Sequence, residues 1–286
     1  MKRSYLIGGA VILIVVGTFW LRGGNPQTSA AGGKSQVTTI KVAHTQSYVP
    51  YDFINEAGES DGYEVQVLKA VDKKLPQYQL EFTGTSDEDL LIGLESGKYD
   101  LGIKGAWYTE ERAEKFLIPK EAVGASVIGF TIRNKDAQKF TSIDDLAQNA
   151  AKLVPISPQN AQYNVITEYN EKHPDQPLEL KAAESFNVAD AYAWVLEGRY
   201  DAFFDIKLSF ETAVTKKDGS YHQYADDLSW FPYKGIPTYP LLYKNQQNKD
   251  FATAYDQAVK ELAADGTLAQ LSEEYFGENV FDFVTE

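Results

Sequence analysis

Residues 86–112 read SDEDLLIGLESGKYDLGIKGAWYTEER, and the fold is decided by this stretch. Ser86 is followed by Asp87, Glu88 and Asp89, an acidic first turn that suits the positive end of a helix dipole. On a helix those three carboxylates point in different directions, so they read as a helix start and not as a metal site. Gly97 ends that helix. Tyr99–Ile103 is a strand, a short loop follows, and Thr109 caps a further helix with Glu110 and Glu111 in its first turn. Upstream, the β-branched run Thr38–Ala43 is a strand. Tyr63–Leu75 carries Val67, Leu68, Val71 and Leu75 at helical spacing and is stopped by Pro76. Gln79–Phe82 is another strand. The order β-α-β-α-β predicts a mostly parallel sheet.

The same alternation returns downstream. Leu153–Ile156 reads as a strand, Ala161–Asn170 as a helix, Leu178–Ala182 as a strand, Val188–Glu197 as a helix ended by Gly198, and Tyr200–Asp205 as a strand. Two such units predict two α/β lobes. Ser126–Arg133, β-rich and unbroken, is one crossing between them. Phe231–Pro240 is a second, stiffened by three prolines, with Gly235 supplying a bend. Helical periodicity resumes over Phe251–Leu262 and Thr267–Tyr275. Two crossings make a hinge and a cleft, and the expected division is 1–35 as signal or anchor plus linker, 36–129 as lobe 1, 130–232 as lobe 2, and 233–286 as the return to lobe 1.

Composition narrows the function. The chain has 286 residues, of which 43% are hydrophobic and 24% charged, which excludes a disordered chain. One stretch is apolar enough to insert in a membrane: Tyr5–Leu21, 17 residues without a charge, behind Lys2 and Arg3 and before Arg22. The Gly-, Ser- and Ala-rich segment 23–35 reads as a cleavage region or tether. Either outcome, an uncleaved anchor or a removed signal, puts the remainder outside the membrane. The net charge is −14, and without residues 1–31 it becomes −17, because Lys2, Arg3 and Arg22 leave and no acid does. That argues against a nucleic-acid partner, which requires a basic face. The absence of Cys excludes disulfides, thiolate chemistry, zinc–thiolate sites and a thioether lipid.

Signatures of catalysis are missing. His44, His173 and His222 have no metal-ligand spacing and read as surface or turn residues. Gly33-Lys34-Ser35 resembles the end of a phosphate loop, but Thr28 stands where that motif needs glycine. No G-x-S-x-G elbow occurs. Asp144-Asp145 reads as another acidic first turn. No cofactor is expected. Arg112 stands out, since an arginine at a helix start opposes the dipole, and a residue placed against its local preference points to function. A guanidinium fork binds a carboxylate bidentately; the alternative is an ion pair with Glu110 or Glu111. Trp107, between Gly-Ala and Tyr-Thr, has no helical or alternating partners.

The run Gly97, Tyr99, Asp100, Thr109 and Arg112 resembles the extracellular solute-binding proteins of polar amino acid ABC importers. Further motifs carry the likeness in the same order. They are Tyr48-Val-Pro-Tyr-Asp-Phe53 with Gly62-Tyr63-Glu64, then Gly198-Arg-Tyr-Asp-Ala-Phe-Phe-Asp205, then Asp265-Gly-Thr-Leu-Ala-Gln-Leu271 with Tyr275-Phe-Gly277. The resemblance spans residues 38–280. The runs Asp89–Gly97, Leu153–Tyr163 and Trp230–Pro240 are similar to the Gram-positive L-cystine-binding branch. What this implies is a two-lobed periplasmic-binding-protein-like fold of type II with a ligand cleft between the lobes. It further implies a non-catalytic monomer that captures an amino acid, L-cystine above others, and delivers it to ABC permease membrane subunits.

The implied ligand residues are Tyr51, Gly105, Ala106, Trp107, Arg112, Gln159, Asn160 and Asp205, with Arg112 on the α-carboxylate and Asp205 on the α-amino group. Ligands in open α/β sheets sit beyond the carboxyl ends of strands. Arg112 follows one such end and Asp205 lies at another, so a zwitterion held by both would keep the cleft shut. The chain departs from the family twice. The lipobox cysteine is missing, which favours an uncleaved helix as the tether. Pro158-Gln159-Asn160 replaces the second lobe's carboxylate loop, although backbone N–H groups at a helix start still face an anion there. A ligand-sensing receptor remains an alternative. So does a dehydratase-type enzyme on the same fold, which would need an acid or base among Asp205, Glu184 and the tyrosines.

Overall fold

The computed structural model describes residues 37–284 apart from 159 and 184–187. The expectations for Tyr5–Leu21, Gln159 and Glu184 therefore lie outside the described residues. Among the described residues no helix is long and apolar enough to cross a membrane.

In the first sheet β1 (Thr38–Thr45) lies between β5 (Tyr78–Thr85) and β6 (Leu101–Ile103), and both pairings are parallel. β1 is half-buried where it starts and buried from Val42 to His44, as a central strand covered on both faces must be. α1 (Tyr63–Lys74) and α2 (Asp87–Glu95) are the crossover helices, as the periodicity predicts. Ser86 caps α2 by accepting from the Asp89 N–H, and Gly97 follows it with φ +74°. A small antiparallel sheet of β2 (Ser47–Tyr48), β3 (Asp52–Ile54) and β4 (Ser60–Asp61) leads from β1 into α1. After β6 comes the short α3 (Glu110–Lys115).

The chain then runs out along β7 (Gly124–Arg133), which pairs antiparallel with both β8 (Ala202–Ile206) and β9 (Leu228–Thr238). β7 and β9 are the two crossings. The second one shows why prolines are tolerated in it. Pro232 has no N–H for the ladder, and the register shifts beside it, between Ile128 and Gly129, as a bulge. Gly235 is not the bend. It stays in the strand opposite Val127, and a Cβ there would meet the Phe283 and Val284 backbone at 2.9–3.0 Å.

Between β7 and β9 lie α4 (Ile143–Gln148), α5 (Ala161–Lys172), α6 (Val188–Leu196) and α7 (Lys207–Phe210). α4 begins with a capping box of Ser142 and Asp145. The expected strands Leu153–Ile156 and Leu178–Ala182 are reduced to single parallel bridges, Leu153 to Ala202 and Ile156 to Ala182. Pro155 interrupts the first, and Glu179 and Lys181 are turned to solvent in the second. The second sheet is thus antiparallel at its centre. After β9 the chain returns, because β10 (Leu241–Leu242) adds antiparallel to β6. α8 (Gln246–Ala264) and α9 (Thr267–Phe276) close the first core beside α1, with Phe251, Tyr255 and Leu262 buried against Leu68 and Val71. α8 begins earlier than its apolar residues, because Asn245 caps it from the Asn248 N–H. A separate core of Phe130, Ile132, Leu146, Ile166 and Phe204 lies under the second sheet. His44 is no surface residue. It is fully buried in β1, with its ring nitrogens at Thr45 O (2.6 Å) and Ser60 Oγ (2.7 Å).

Candidate ligand-binding site

The residues after β6 form a loop whose course is set from below by one buried acid. Gly105 has φ +61°, and a Cβ there would meet Tyr48 Cε1 at 2.7 Å, so glycine serves both the backbone angle and the close approach. The Gly105 N–H donates to Glu64 Oε2 at 3.0 Å, while Thr238 on β9 donates its hydroxyl to Glu64 Oε1 at 2.8 Å. The Tyr239 N–H donates to Ala106 O at 2.8 Å, and Trp107 bridges to Thr238. The loop is thereby fastened to the end of the second crossing.

Thr109 caps α3 by accepting the Arg112 N–H at 3.1 Å. The Arg112 guanidinium donates through Nη1 to Trp107 O at 2.6 Å. It does not pair with its acidic neighbours: the Glu111 carboxylate takes Lys115 at 3.1 Å, and Glu110 takes the Tyr108 hydroxyl at 3.3 Å. Partial burial lowers the Arg112 pKa, against the nearby Asp87 and Glu111 charges that support it.

Opposite this loop, Asp205 ends the buried stretch of β8 and is 1% exposed. One oxygen accepts the Tyr192 hydroxyl at 2.7 Å and the other its neighbour's Ile206 N–H at 2.8 Å, and the Ser209 hydroxyl also donates to the carboxylate. Burial pushes its pKa up to about 6, against those hydrogen bonds, which favour the charged form.

Trp107, Arg112, Asn160 and Asp205 line one cavity of about 620 Å³, with the first turns of α5 and the β9 residues 234–237 forming the remaining walls. Asn160 sits at the N-cap of α5. The Trp107 indole N–H has no acceptor among the described residues. Three of the expected residues do not line this cavity. Gly105 and Ala106 shape the loop from behind it. Tyr51 is 4% exposed, stacks on Tyr48 with ring centres 4.8 Å apart, and donates its hydroxyl to Ala125 O and Ser126 Oγ. Four residues enter the site that sequence reasoning had not placed there: Tyr192, Ser209, Glu168 and Lys234. A fifth, Glu64, left a legible signal, since it lies three and four residues before Val67 and Leu68 and so on their buried helix face.

Two α/β lobes joined by paired crossing strands, with a cation and a carboxylate facing one cleft, define a two-lobed solute-binding protein of type II. The profile of the bacterial extracellular solute-binding proteins, family 3, matches residues 40–278, and the chain belongs to that family. It is a receptor and not an enzyme. Among its relatives, the L-cystine-binding protein TcyJ of Bacillus subtilis is 30% identical over 272 residues, 94% of each chain. The crystal structure of the probable amino-acid ABC transporter extracellular-binding protein YtmK of Bacillus subtilis superposes with a TM-score of 0.63 at 25% identity, over 85% of this chain and 99% of that one. The unliganded, open L-cystine solute receptor of Neisseria gonorrhoeae shares the fold at a TM-score of 0.60 and 21% identity, over 88% of this chain and 97% of the other.

Proposed function

We propose that this chain is the amino-acid receptor of an ABC importer and that its ligand is L-cystine. The observation that carries the reading is that one cavity is lined both by Arg112, on α3 after a strand of the first sheet, and by Asp205, on β8 of the second. A zwitterion needs one fixed cation and one fixed anion, and it excludes ligands with only one of the two charges. In this reading Arg112 holds the α-carboxylate and Asp205 the α-amino group. Trp107 covers the apolar atoms, and the N–H groups of the first turn of α5, which follows its N-cap Asn160 on the cavity wall, add to the carboxylate's partners. Tyr51, Gly105 and Ala106 act from behind, by supporting the loop. The lobes, 36–129 with 233–286 on one side and 130–232 on the other, close over the ligand about β7 and β9. Residues 1–35 keep the receptor at the outer face of the membrane, where it works as a monomer with the permease subunits. The identity to TcyJ supports L-cystine as the ligand.

The test is thermal denaturation of the full-length protein against the common amino acids and L-cystine. A ligand that binds only the folded state adds about 2.7 kcal/mol at a hundredfold excess over its Kd. L-Cystine should raise the Tm most. A larger shift with a different amino acid at equal concentration would overturn the cystine assignment, and no shift with any of them would overturn the amino-acid reading.

A further inference from the structure

The cavity that Arg112 and Asp205 line also holds an ion pair. Lys234 Nζ on β9 and Glu168 Oε2 on α5 stand 2.6 Å apart, and both residues line the cavity wall. Among the described residues no other ion pair has both members there. Their side chains are 24% and 51% exposed, so a ligand in the cavity can reach them. As a fastening between α5 and β9 the pair adds little, because ion pairs open to solvent contribute little to stability. The two elements are already joined beneath it by Tyr169 packing edge-on to Tyr233 and by the fully buried Ile166.

We propose that Lys234 and Glu168 form a second subsite, which takes a dipolar head at the far end of the ligand, its carboxylate on Lys234 and its ammonium on Glu168. The proposal rests on the amino-acid reading above and narrows it to a chemical class: amino acids with two zwitterionic heads joined by a short apolar spacer. An ion pair selects for that class by its own balance. A far end with one charge would part the pair and leave one member without a partner. An apolar far end would cover both charges without replacing their hydration. A second zwitterion exchanges one ion pair for two. The cavity, about 620 Å³, is within the roughly 300–1,000 Å³ that small-ligand sites occupy. Lys234 also falls within Trp230–Pro240, and Gly235, Ile236 and Pro237 of that run line the same wall. Another ion pair, Lys104 with Asp87, lines a separate cavity of about 530 Å³ that contains neither Arg112 nor Asp205.

Isothermal titration of the full-length protein with L-cystine and with S-methyl-L-cysteine, which keeps one head and lacks the other, separates the outcomes. Lys234→Gln and Glu168→Gln should each weaken L-cystine roughly ten- to a hundredfold while changing S-methyl-L-cysteine by no more than about twofold. Equal loss for both ligands would overturn the subsite and leave the pair a fastening. No loss for either would also overturn it. A cystine-selective loss in Lys104→Gln instead would place the far end in the other cavity. In all three cases the wild type still binds L-cystine and the amino-acid reading stands. A wild type that binds neither ligand overturns that reading and the subsite together.

Discussion

Asp205 at the end of β8 and Glu64 at the start of α1 are carboxylates with 1% and 0% exposure, yet they are placed for different purposes. Glu64 is enclosed: both oxygens accept from the protein's own frame, the Gly105 N–H and the Thr238 hydroxyl, and burial raises its pKa against those two bonds. Asp205 is held just as firmly, by Tyr192, Ile206 and Ser209, but it forms part of a cavity wall. A buried carboxylate surrounded by donors serves the fold, and one that keeps a side toward a cleft is available to a cation. Burial alone does not distinguish them.

The comparison breaks most sharply under truncation. Asp205→Ala and Arg112→Ala should each weaken amino-acid binding by about 2–5 kcal/mol, with a smaller change in the urea midpoint. That is roughly 30-fold to several-thousand-fold in Kd by titration calorimetry. Lysine at position 112 should recover only part of the loss, since a point charge lacks the planar fork. Glu64→Gln should show the opposite balance. The new amide turns an N–H₂ toward one of two donors, and a buried donor left without an acceptor costs about 1–3 kcal/mol, read as a lowered urea midpoint. If Glu64→Gln weakens binding more than stability, the two acids do not differ as described. Gly105→Ala tests the loop that Glu64 holds: a side chain at φ +61° costs roughly 1–2 kcal/mol before its contact with Tyr48 is counted, again read from urea unfolding.

The smallest effect sharpens the assignment of Asp205. Its native pKa of about 6 lies above the ordinary 3.8, so the folded protein keeps a proton that the unfolded chain has released between those values. The stability from this group is therefore fully present below pH 3.8, is lost as pH rises toward 6, and changes no further above it. Affinity for an ammonium runs the other way. It should be constant above pH 6 and fall below it, by about tenfold per unit once Asp205 is protonated. Asp205→Asn should bind weakly with no such slope. A wild-type Kd that is flat from pH 7 to pH 5 would remove Asp205 from the ammonium site.

The first lobe was legible because its parallel strands and crossover helices are built from contiguous, periodic runs. Val67, Leu68 and Val71 announce a buried helix face wherever that helix packs. The second lobe was less so. Leu153–Ile156 and Leu178–Ala182 have strand-like composition, but Pro155 and the solvent-facing Glu179 and Lys181 leave only isolated bridges, two in the first and one in the second. The start of α8 was missed because its cap is the polar Asn245 and not an apolar repeat. Within the site, Arg112 was conspicuous as a cation opposing a helix dipole, whereas Lys234 was one more charge in a proline-rich run. Tyr51 was an aromatic in a suggestive motif, and only its packing against Tyr48 and Ala125 places it behind the cavity wall.

The amino-acid sequence by itself determined the alternation of strands and helices, the two crossings, the cap at Thr109 and the presence of one unpaired-looking arginine and one strand-end acid. These are local matters, settled by backbone preference, side-chain period and dipole over a few residues. Only the tertiary structure decided that Arg112 leaves Glu110 and Glu111 to other partners, that Asp205 lines the same cavity, and that Lys234 meets Glu168 in its wall. Which charge meets which depends on distances between residues far apart in the chain, and those distances exist only once the two cores have packed.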